Sequence, residues 1–267
     1  MQNVAVTTKT QAEEKQRIEA KRLRELKAMQ ARDPRIKDLL YFPCGGCLDF
    51  YQSVVLDDSA LREEKRKKES GVSERFEGLT VETCAPISTA QVELYKRLKK
   101  YIELFKDGRM YRKDPNGIYL FGQVGTGKTH MISALVNSLI PMGYGALKTT
   151  PIELMRAIRY ADAEYAPTNR ILERAKTIDF LVIDDLGKDK PTEYSTKTLY
   201  EIINYRSENL LPIIITSNYA VKDLPRKITP EGADLTLGIS IADRIFQGCS
   251  VMELGGMTLR TGREAVI

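Results

Sequence analysis

The fold of this chain follows from one stretch of its sequence, Gly122-Gln123-Val124-Gly125-Thr126-Gly127-Lys128-Thr129. The stretch fits the phosphate-binding pattern G-x-x-x-x-G-K-[ST] at every fixed position. Its glycines reach backbone angles that turn successive N–H groups inward around a phosphate. Lys128 can supply a positive charge to the β- and γ-phosphates, and the hydroxyl of Thr129 can bind Mg²⁺. The stretch predicts a site for a nucleoside triphosphate with magnesium.

The residues on either side favour a strand, a loop and a helix in that order. The apolar run 118–121 predicts a short buried strand, and 130–139 predicts a helix whose N-terminus faces the bound anion. This context argues against the alternative of a chance glycine-rich turn. We assign the following residues to nucleotide binding: Gly122, Gly125, Thr126, Gly127, Lys128, Thr129 and His130.

Two adjacent acids follow a second apolar run. Residues 180–183 form a continuous apolar stretch, which is typical of a central parallel strand, and Asp184 and Asp185 come directly after it. Paired acids usually lie in a solvated turn, but an acid at the end of a buried strand is what a magnesium-dependent phosphate site needs. We expect Asp184 to hold Mg²⁺ through water, with Thr129, and Asp185 to orient or deprotonate the attacking water.

A further apolar run, 212–215, ends in the polar residues Thr216, Ser217 and Asn218. The chain between these runs alternates strand and helix patterns, which predicts an α/β sheet. Ligands of such sheets bind beyond the carboxyl ends of the strands, so we expect Asn218 to lie near the γ-phosphate. A strand that ends in an ordinary turn is the alternative.

Two capping boxes mark helix starts on this part of the chain. Ser88 to Gln91 predicts a helix with Val92, Tyr95, Ile102 and Phe105 on one side, and Thr150 to Glu153 predicts another. A third helix is predicted over 192–209, between the second apolar run and the third.

Composition narrows the classes of function. The chain has 267 residues, a net charge of +5, four cysteines and a single histidine. One histidine argues against a Ser-His-Asp triad or a multi-histidine metal site. The sequence contains no apolar run long enough for a membrane span, and its first ten residues lack the apolar core of a signal peptide. We expect a cytoplasmic protein without membrane contact.

The N-terminal region differs from the rest in composition. Residues 10–32 are rich in Glu, Lys and Arg, and they predict a helix with a thin apolar stripe. That helix is either solvated or a docking arm for a partner. A charged run over 62–69 marks the transition, so we divide the chain into a partner-binding segment, 1–72, and an ATPase domain, 73–267. Within the segment, Cys44 and Cys47 have the spacing of half a zinc site, with an ordinary reduced turn as the alternative.

The motifs together resemble an AAA+ ATPase. The resemblance rests on 122–129, on 181–187 and on 216–218, and it covers roughly residues 74–262. The stretches 241–245 and 256–260 are similar to signatures of the DnaC/DnaI-type helicase loaders and their IstB-like relatives. This resemblance implies a five-stranded parallel sheet in the order 5-1-4-3-2 with flanking helices. It also implies that Asn218 is the sensor 1 residue and that Arg244 is an arginine finger for a neighbouring subunit.

The resemblance further implies a function and partners. The expected function is ATP-dependent loading of a hexameric, DnaB-type replicative helicase onto single-stranded DNA, with a homo-oligomer formed through the ATPase interface. The alternatives are an IstB-like transposition ATPase that binds DNA and a transposase, and a scaffold that binds ATP without hydrolysis. The chain departs from the family pattern in having only one clear cysteine pair. Since it ends seven residues after Arg260, we also expect no C-terminal helical lid.

Single-stranded DNA is the partner for which the sequence offers individual contact residues. Tyrosine can stack on a base, and basic side chains can contact phosphates, although a solvated charge is as common. The candidates are Arg156, Arg159, Lys188, Lys190 and Tyr194.

Overall fold

The computed structural model describes residues 60–106, 115–163 and 170–255. The chain divides after Arg62 into two compact units, and the second, which begins at Glu63, contains the sheet and the phosphate loop. The N-terminal arm, Cys44, Cys47 and Arg260 lie outside the described residues. Among the described helices, none has the length and apolar character needed to cross a membrane.

The described residues between Thr89 and Glu253 form five strands and seven α-helices. The strands are β1 (Gly117–Phe121), β2 (Ala146–Thr149), β3 (Phe180–Leu186), β4 (Ile213–Ser217) and β5 (Cys249–Glu253). The helices are α1 (Thr89–Lys106), α2 (Lys128–Leu139), α3 (Pro151–Ala163), α4 (Arg170–Thr177), α5 (Glu193–Glu208), α6 (Pro225–Ile228) and α7 (Thr236–Gly248). Three short 3₁₀ turns cover Glu74–Phe76, Ile140–Met142 and Val221–Asp223. Residues 60–69 are also helical.

The strands form one parallel sheet in the order β2-β3-β4-β1-β5. This is the expected order 5-1-4-3-2 seen from the other edge, so the predicted fold is confirmed. The three inner strands β3, β4 and β1 are buried on both faces, which explains why they appear in the sequence as continuous apolar runs. Their carboxyl ends lie at one edge, where the motif residues are found.

Each face of the sheet has its own apolar core. On one face α1 and α2 pack against the side chains of Ile118, Leu120 and Ile214. On the other face α3, α5 and α7 pack against Tyr119, Ile215 and other residues of the same strands. Because successive side chains of a strand point to opposite faces of the sheet, α2, which follows the phosphate loop, and α7 lie on opposite faces.

The capping signals were largely correct, but the apolar face of α1 was partly wrong. In the second capping box, Thr150 N–H donates to Glu153 Oε2 at 3.0 Å, and Glu153 N–H donates to Thr150 Oγ1 at 3.3 Å. Ile102 and Phe105 of α1 are buried, whereas Val92 is 37% exposed. Its place toward the core is taken by Gln91, whose side chain contacts the phosphate loop.

The stretch that precedes the first strand by about 50 residues, 69–71, is fixed to the edge of the sheet. Lys148 N–H on β2 donates to the Ser70 carbonyl at 2.6 Å, and Arg174 on α4 pairs with Glu69 at 3.2 Å. Gly71 has φ +71°, and a Cβ there would overlap the Lys148 carbonyl. Residues 69–71 thus belong to the same unit as the sheet, while the functional division after residue 72 stays a prediction.

Candidate nucleotide site

The glycines of the phosphate loop have the backbone that the motif predicts. Gly122, Gly125 and Gly127 have φ values of 148°, 84° and 98°, a region that favours glycine. A side chain at Gly122 would also overlap the carbonyl of Leu254. Gly127 is the N-cap of α2, so the loop leads directly into a helix N-terminus, where backbone N–H groups can face an anion.

Lys128 connects the loop to the end of β4. Its ammonium donates to the carbonyls of Gly122 and Gln123, both at 2.8 Å, and to Asn218 Oδ1 at 3.0 Å. The structure therefore brings the predicted phosphate-binding lysine and the predicted sensor residue into contact. A phosphate that enters the loop would compete with these acceptors for the ammonium, and Asn218 would then lie beside it.

Thr129 and Asp184 supply adjacent oxygens for a metal ion. Thr129, at the end of the phosphate loop, donates from its Oγ1 to Oδ1 of Asp184 on β3 at 3.2 Å. Hydroxyl and carboxylate oxygens are the ligands that Mg²⁺ prefers, and magnesium is commonly held by few protein groups together with substrate phosphates and water. The residues present therefore fit the predicted magnesium site.

Two residues to which the sequence analysis assigned no role complete the surroundings of Asp184: Lys148, which it did not name, and Thr216, which it named only as part of a polar strand tip. Thr216 Oγ1 donates to Asp184 Oδ1 at 2.6 Å and accepts from Asp185 N–H at 2.8 Å. The Lys148 ammonium lies 3.0 Å from Asp184 Oδ2, and only 11% and 6% of these two side chains are exposed. Asp184 is thus held by hydrogen bonds on one oxygen and by an ion pair on the other.

Asp185 adopts a conformation that is uncommon for a residue with a side chain. Its φ is +61°, and the register of β3 with β4 shifts between Ile183 and Leu186. The side chain of Asp185 pairs with Lys188 at 3.0 Å and is about a third exposed. Strained backbone of this kind costs about 1–3 kcal/mol and concentrates at functional sites. The structure thus gives adjacent acids different partners, as their different predicted roles require.

The phosphate loop is braced from α1 by Gln91. Its Nε2 donates to the Thr126 carbonyl at 3.0 Å, while its Oε1 accepts from Ile87 N–H at 2.8 Å. Thr126 Oγ1 in turn donates to the Gln123 carbonyl at 2.9 Å, so the hydroxyl is used within the loop. Gln91, the residue that closes the first capping box, could have been recognised as a candidate for such a contact.

His130 and Arg244 are the two predicted residues that lie apart from this cluster. The ring of His130 packs edge-on against Phe76 at 5.9 Å, and desolvation, followed by the charge of Arg75, lowers the pKa of His130. Its burial beside Phe76 and the charge of Arg75 thus both favour the neutral form of the imidazole. Arg244 is half-buried on α7, which packs on the face of the sheet opposite α2.

Comparison with known proteins places this site in a family. The model of the "IstB-like ATP binding protein" family matches residues 97–265, which include the phosphate loop, the acids and Arg244. The chain belongs to the family of IstB-like ATP-binding proteins.

Individual relatives of this IstB-like protein come from phage-like and replication systems. The chain is 30% identical over 163 residues to the phage-like element PBSX protein XkdC of Bacillus subtilis, over 59% of this chain and 56% of XkdC. It therefore spans little more than half the length of that relative. The replicative helicase loader DnaC of Escherichia coli K12 is 22% identical over 197 residues, which cover 73% of this chain and 74% of DnaC.

Solved structures agree with the fold of the IstB-like chain. A crystal structure of the DnaC helicase loader matches with a TM-score of 0.57 and 21% identity, over 68% of this chain and all of that chain. At this identity the match concerns the fold, and it is an AAA+ fold. The sequence resemblance to the DnaC and IstB-like group is thereby confirmed.

Proposed function

We propose that this protein is an ATPase that loads a replicative helicase onto single-stranded DNA. The observation that carries the ATPase part is the meeting of Lys128, Asn218, Thr129 and Asp184 at the carboxyl ends of β1, β3 and β4. Lys128 would bind the β- and γ-phosphates, and Thr129 and Asp184 would hold Mg²⁺, which neutralises phosphate charge when bound. Asp185 would orient or deprotonate the attacking water.

The loader part is supported by the family and by the similarity to a replicative helicase loader over most of this chain. The IstB-like description equally supports the alternative, an ATPase that serves a transposase and binds duplex DNA. The two functions differ in the protein partner, a helicase or a transposase, and in the preferred DNA, single-stranded or duplex. Each of these two differences is tested below.

A largely apolar groove whose lining includes four basic side chains lies beside the nucleotide site and supports DNA binding. It has a volume of about 580 Å³ and lies between α3 and the segment that joins β3 to α5. Exposed Arg156, Arg159 and Lys190 line it, together with Lys227 on α6. Tyr160 lies at the same groove with 74% of its surface exposed, which leaves its ring available to stack on a base.

The groove includes three of the five predicted DNA residues. Lys188 is not part of its lining and pairs with Asp185. Tyr194 is covered by the Arg159 guanidinium at 4.6 Å from its ring centre, so Tyr160 is the better candidate for stacking. The sequence did not separate these two tyrosines because helix periodicity alone does not show which ring a neighbouring arginine covers.

Replacing Arg156 and Arg159 together by alanine is expected to weaken binding of single-stranded DNA in the ATP state about 10- to 100-fold at low salt. Because the variant contacts fewer phosphates, its binding releases fewer counterions. The slope of log K against log salt should therefore become shallower by about 1.4. Fluorescence anisotropy of a labelled oligonucleotide at several salt concentrations measures both quantities.

The matched control is Lys96→Ala with Lys100→Ala, which removes the same charge from exposed positions on α1, on the other face of the sheet. An equal loss of affinity in both double variants would mean that only net charge matters, and it would remove the groove from the proposal. Tighter binding of the unaltered protein to duplex than to single strands would favour the transposition function.

The helicase is expected to bind the N-terminal arm. Ile18, Leu23, Leu26 and Met29 are spaced as anchors of a helix that lies in an apolar groove. In the full chain, Leu23→Glu with Leu26→Glu should abolish capture of the host's replicative helicase in a pull-down, while nucleotide binding survives. Deletion of residues 1–59 should do the same, and it retains residues 69–71, which contact β2 and α4.

Arg24→Gln with Lys27→Gln is the control, because it changes the net charge equally on the same predicted helix without touching the apolar anchors. Full capture by the Leu23/Leu26 variant would show that the arm is not the docking element. Capture of a transposase and no helicase by the unaltered protein would establish the alternative function.

A further inference from the structure

Lys148 is an ammonium group placed directly on the predicted metal-binding acid. It lies near the end of β2, the edge strand that pairs with β3, and its neighbour Thr149 is in register with Ile183, the residue before Asp184. Its Nζ is 3.0 Å from Asp184 Oδ2, and both side chains are almost fully buried. The opposite oxygen, Oδ1, is the one that contacts Thr129 and Thr216.

The backbone around Lys148 is fixed, so this contact is not a chance position of a flexible side chain. Its N–H donates to the Ser70 carbonyl at 2.6 Å, and its carbonyl lies against Gly71, where no Cβ fits. Ser70 is itself buried. The end of β2 is therefore held between β3 and the stretch 69–71.

Lys176 offers a comparison within the same chain, because it pairs with acids on helices away from the motif residues. Its side chain is 13% exposed, and its ammonium lies 3.1 Å from Glu173 and 2.6 Å from Glu201, whose side chains are 45% and 51% exposed. Lys148 differs in its partner, since Asp184 is also the acid that fits a magnesium site. A divalent ion near Asp184 must share the carboxylate with an ammonium a few ångströms away, and like charges at that distance repel strongly in a buried site.

We propose that Lys148 is a positioning residue that takes the place of a cation at Asp184 before magnesium binds and thereby raises the Mg²⁺ concentration that the nucleotide site needs. In the absence of metal it neutralises the buried carboxylate and holds it beside Thr129. When Mg²⁺ binds with a nucleotide, the ammonium shares Asp184 or withdraws from it. This inference rests on the proposed ATPase function.

The test measures binding of a fluorescent ADP analogue to the full-length protein during a titration with MgCl₂. In Lys148→Met, which keeps the length of the side chain without its charge, the Mg²⁺ concentration at half-maximal effect should fall about tenfold. Lys148→Gln, which keeps a hydrogen-bond donor toward Asp184, should show the same direction of change. Lys176→Met should leave the Mg²⁺ midpoint at the wild-type value. In an Asp184→Asn background, Lys148→Met should no longer shift the midpoint, because the acid on which the lysine acts is gone.

The thermal unfolding midpoint of each variant separates this role from a purely structural one. A lower unfolding midpoint in Lys148→Gln and Lys148→Met with an unchanged Mg²⁺ midpoint would overturn the inference, as would a higher Mg²⁺ requirement. If Lys148→Met does not fold, Lys148→Gln decides the matter by the same criterion. Failure of the wild-type protein to bind the nucleotide at any Mg²⁺ concentration would instead refute the proposed ATPase function, so the two failures are distinguishable.

Discussion

Lys128→Ala is expected to abolish ATP binding at concentrations at which the wild-type protein is saturated. The loop loses the charge that faces the β- and γ-phosphates, and charged hydrogen bonds contribute about 1.5–3 kcal/mol each, so affinity should fall at least about 100-fold. Equilibrium binding of a fluorescent ATP analogue measures the loss. Lys96→Ala on the exposed face of α1 is the control for removal of a lysine.

The fold of the Lys128 variant must be checked, because this ammonium also holds the carbonyls of Gly122 and Gln123 and the side chain of Asn218. A variant with a wild-type far-UV spectrum and near wild-type ATP affinity would show that the loop does not use Lys128.

Asp185→Asn is expected to give the opposite pattern. ATP binding should be nearly unchanged, and phosphate release should be slower by about 10²–10⁴, the usual contribution of a positioned base. Normal turnover there would remove Asp185 from the water-activating role.

Sequence patterns were sufficient where a local signal determines the structure. The apolar runs that became β1, β3 and β4 are buried on both faces, and a continuous apolar run of strand length is typical of such central parallel strands. The helix predicted over 192–209 is α5, capped by Thr192 and ending before Asn209. Capping residues act on backbone groups within one turn, so they can be recognised without knowledge of the rest of the fold.

The missed residues depend on which strands pair and in which register. Lys148 and Thr216 reach Asp184 because β2 and β4 lie on the two sides of β3, and each comes from a position more than 30 residues away in sequence. Which strands pair in parallel depends on the crossover connections between them. The paired residues themselves carry no local sequence signal of that pairing. The family resemblance implied the strand order but not the register, and once the register is known a lysine near the end of β2 becomes a candidate partner for an acid at the end of β3.

The face of α1 was misassigned for a related reason. Periodicity treats a polar residue as solvent-facing, but Gln91 is buried because it satisfies both the Thr126 carbonyl and the Ile87 N–H. The buried stripe consequently runs through Gln91, Leu94 and Leu98, and Val92 is left at the surface. A buried polar side chain with two partners is a tertiary feature, which an apolar count does not detect.

Arg244→Ala is expected to bind ATP with wild-type affinity and to hydrolyse it about 10³-fold or more slowly, because an arginine finger stabilises charge that develops in the transition state. Arg244 is on α7, which packs on the face of the sheet opposite α2, the helix that follows the phosphate loop. That placement favours action on the nucleotide of a neighbouring copy. Exposed Ile239 and Phe246 on the same helix offer an apolar surface for such a contact.

A mixing experiment tests whether the site is shared. Arg244→Ala retains an intact phosphate loop, and Lys128→Ala retains an intact finger, so a mixed oligomer contains interfaces with both groups functional. ATPase activity should be near zero for each variant alone and should reach a maximum near equal proportions of the two. The control is Arg97→Ala, on the exposed side of α1. Without any second variant, it should be as active as the wild-type protein. Absence of rescue in mixtures whose mixed oligomers are confirmed by differently tagged copies would exclude a finger that acts between subunits. An Arg244 variant with wild-type turnover would exclude Arg244 as the finger altogether.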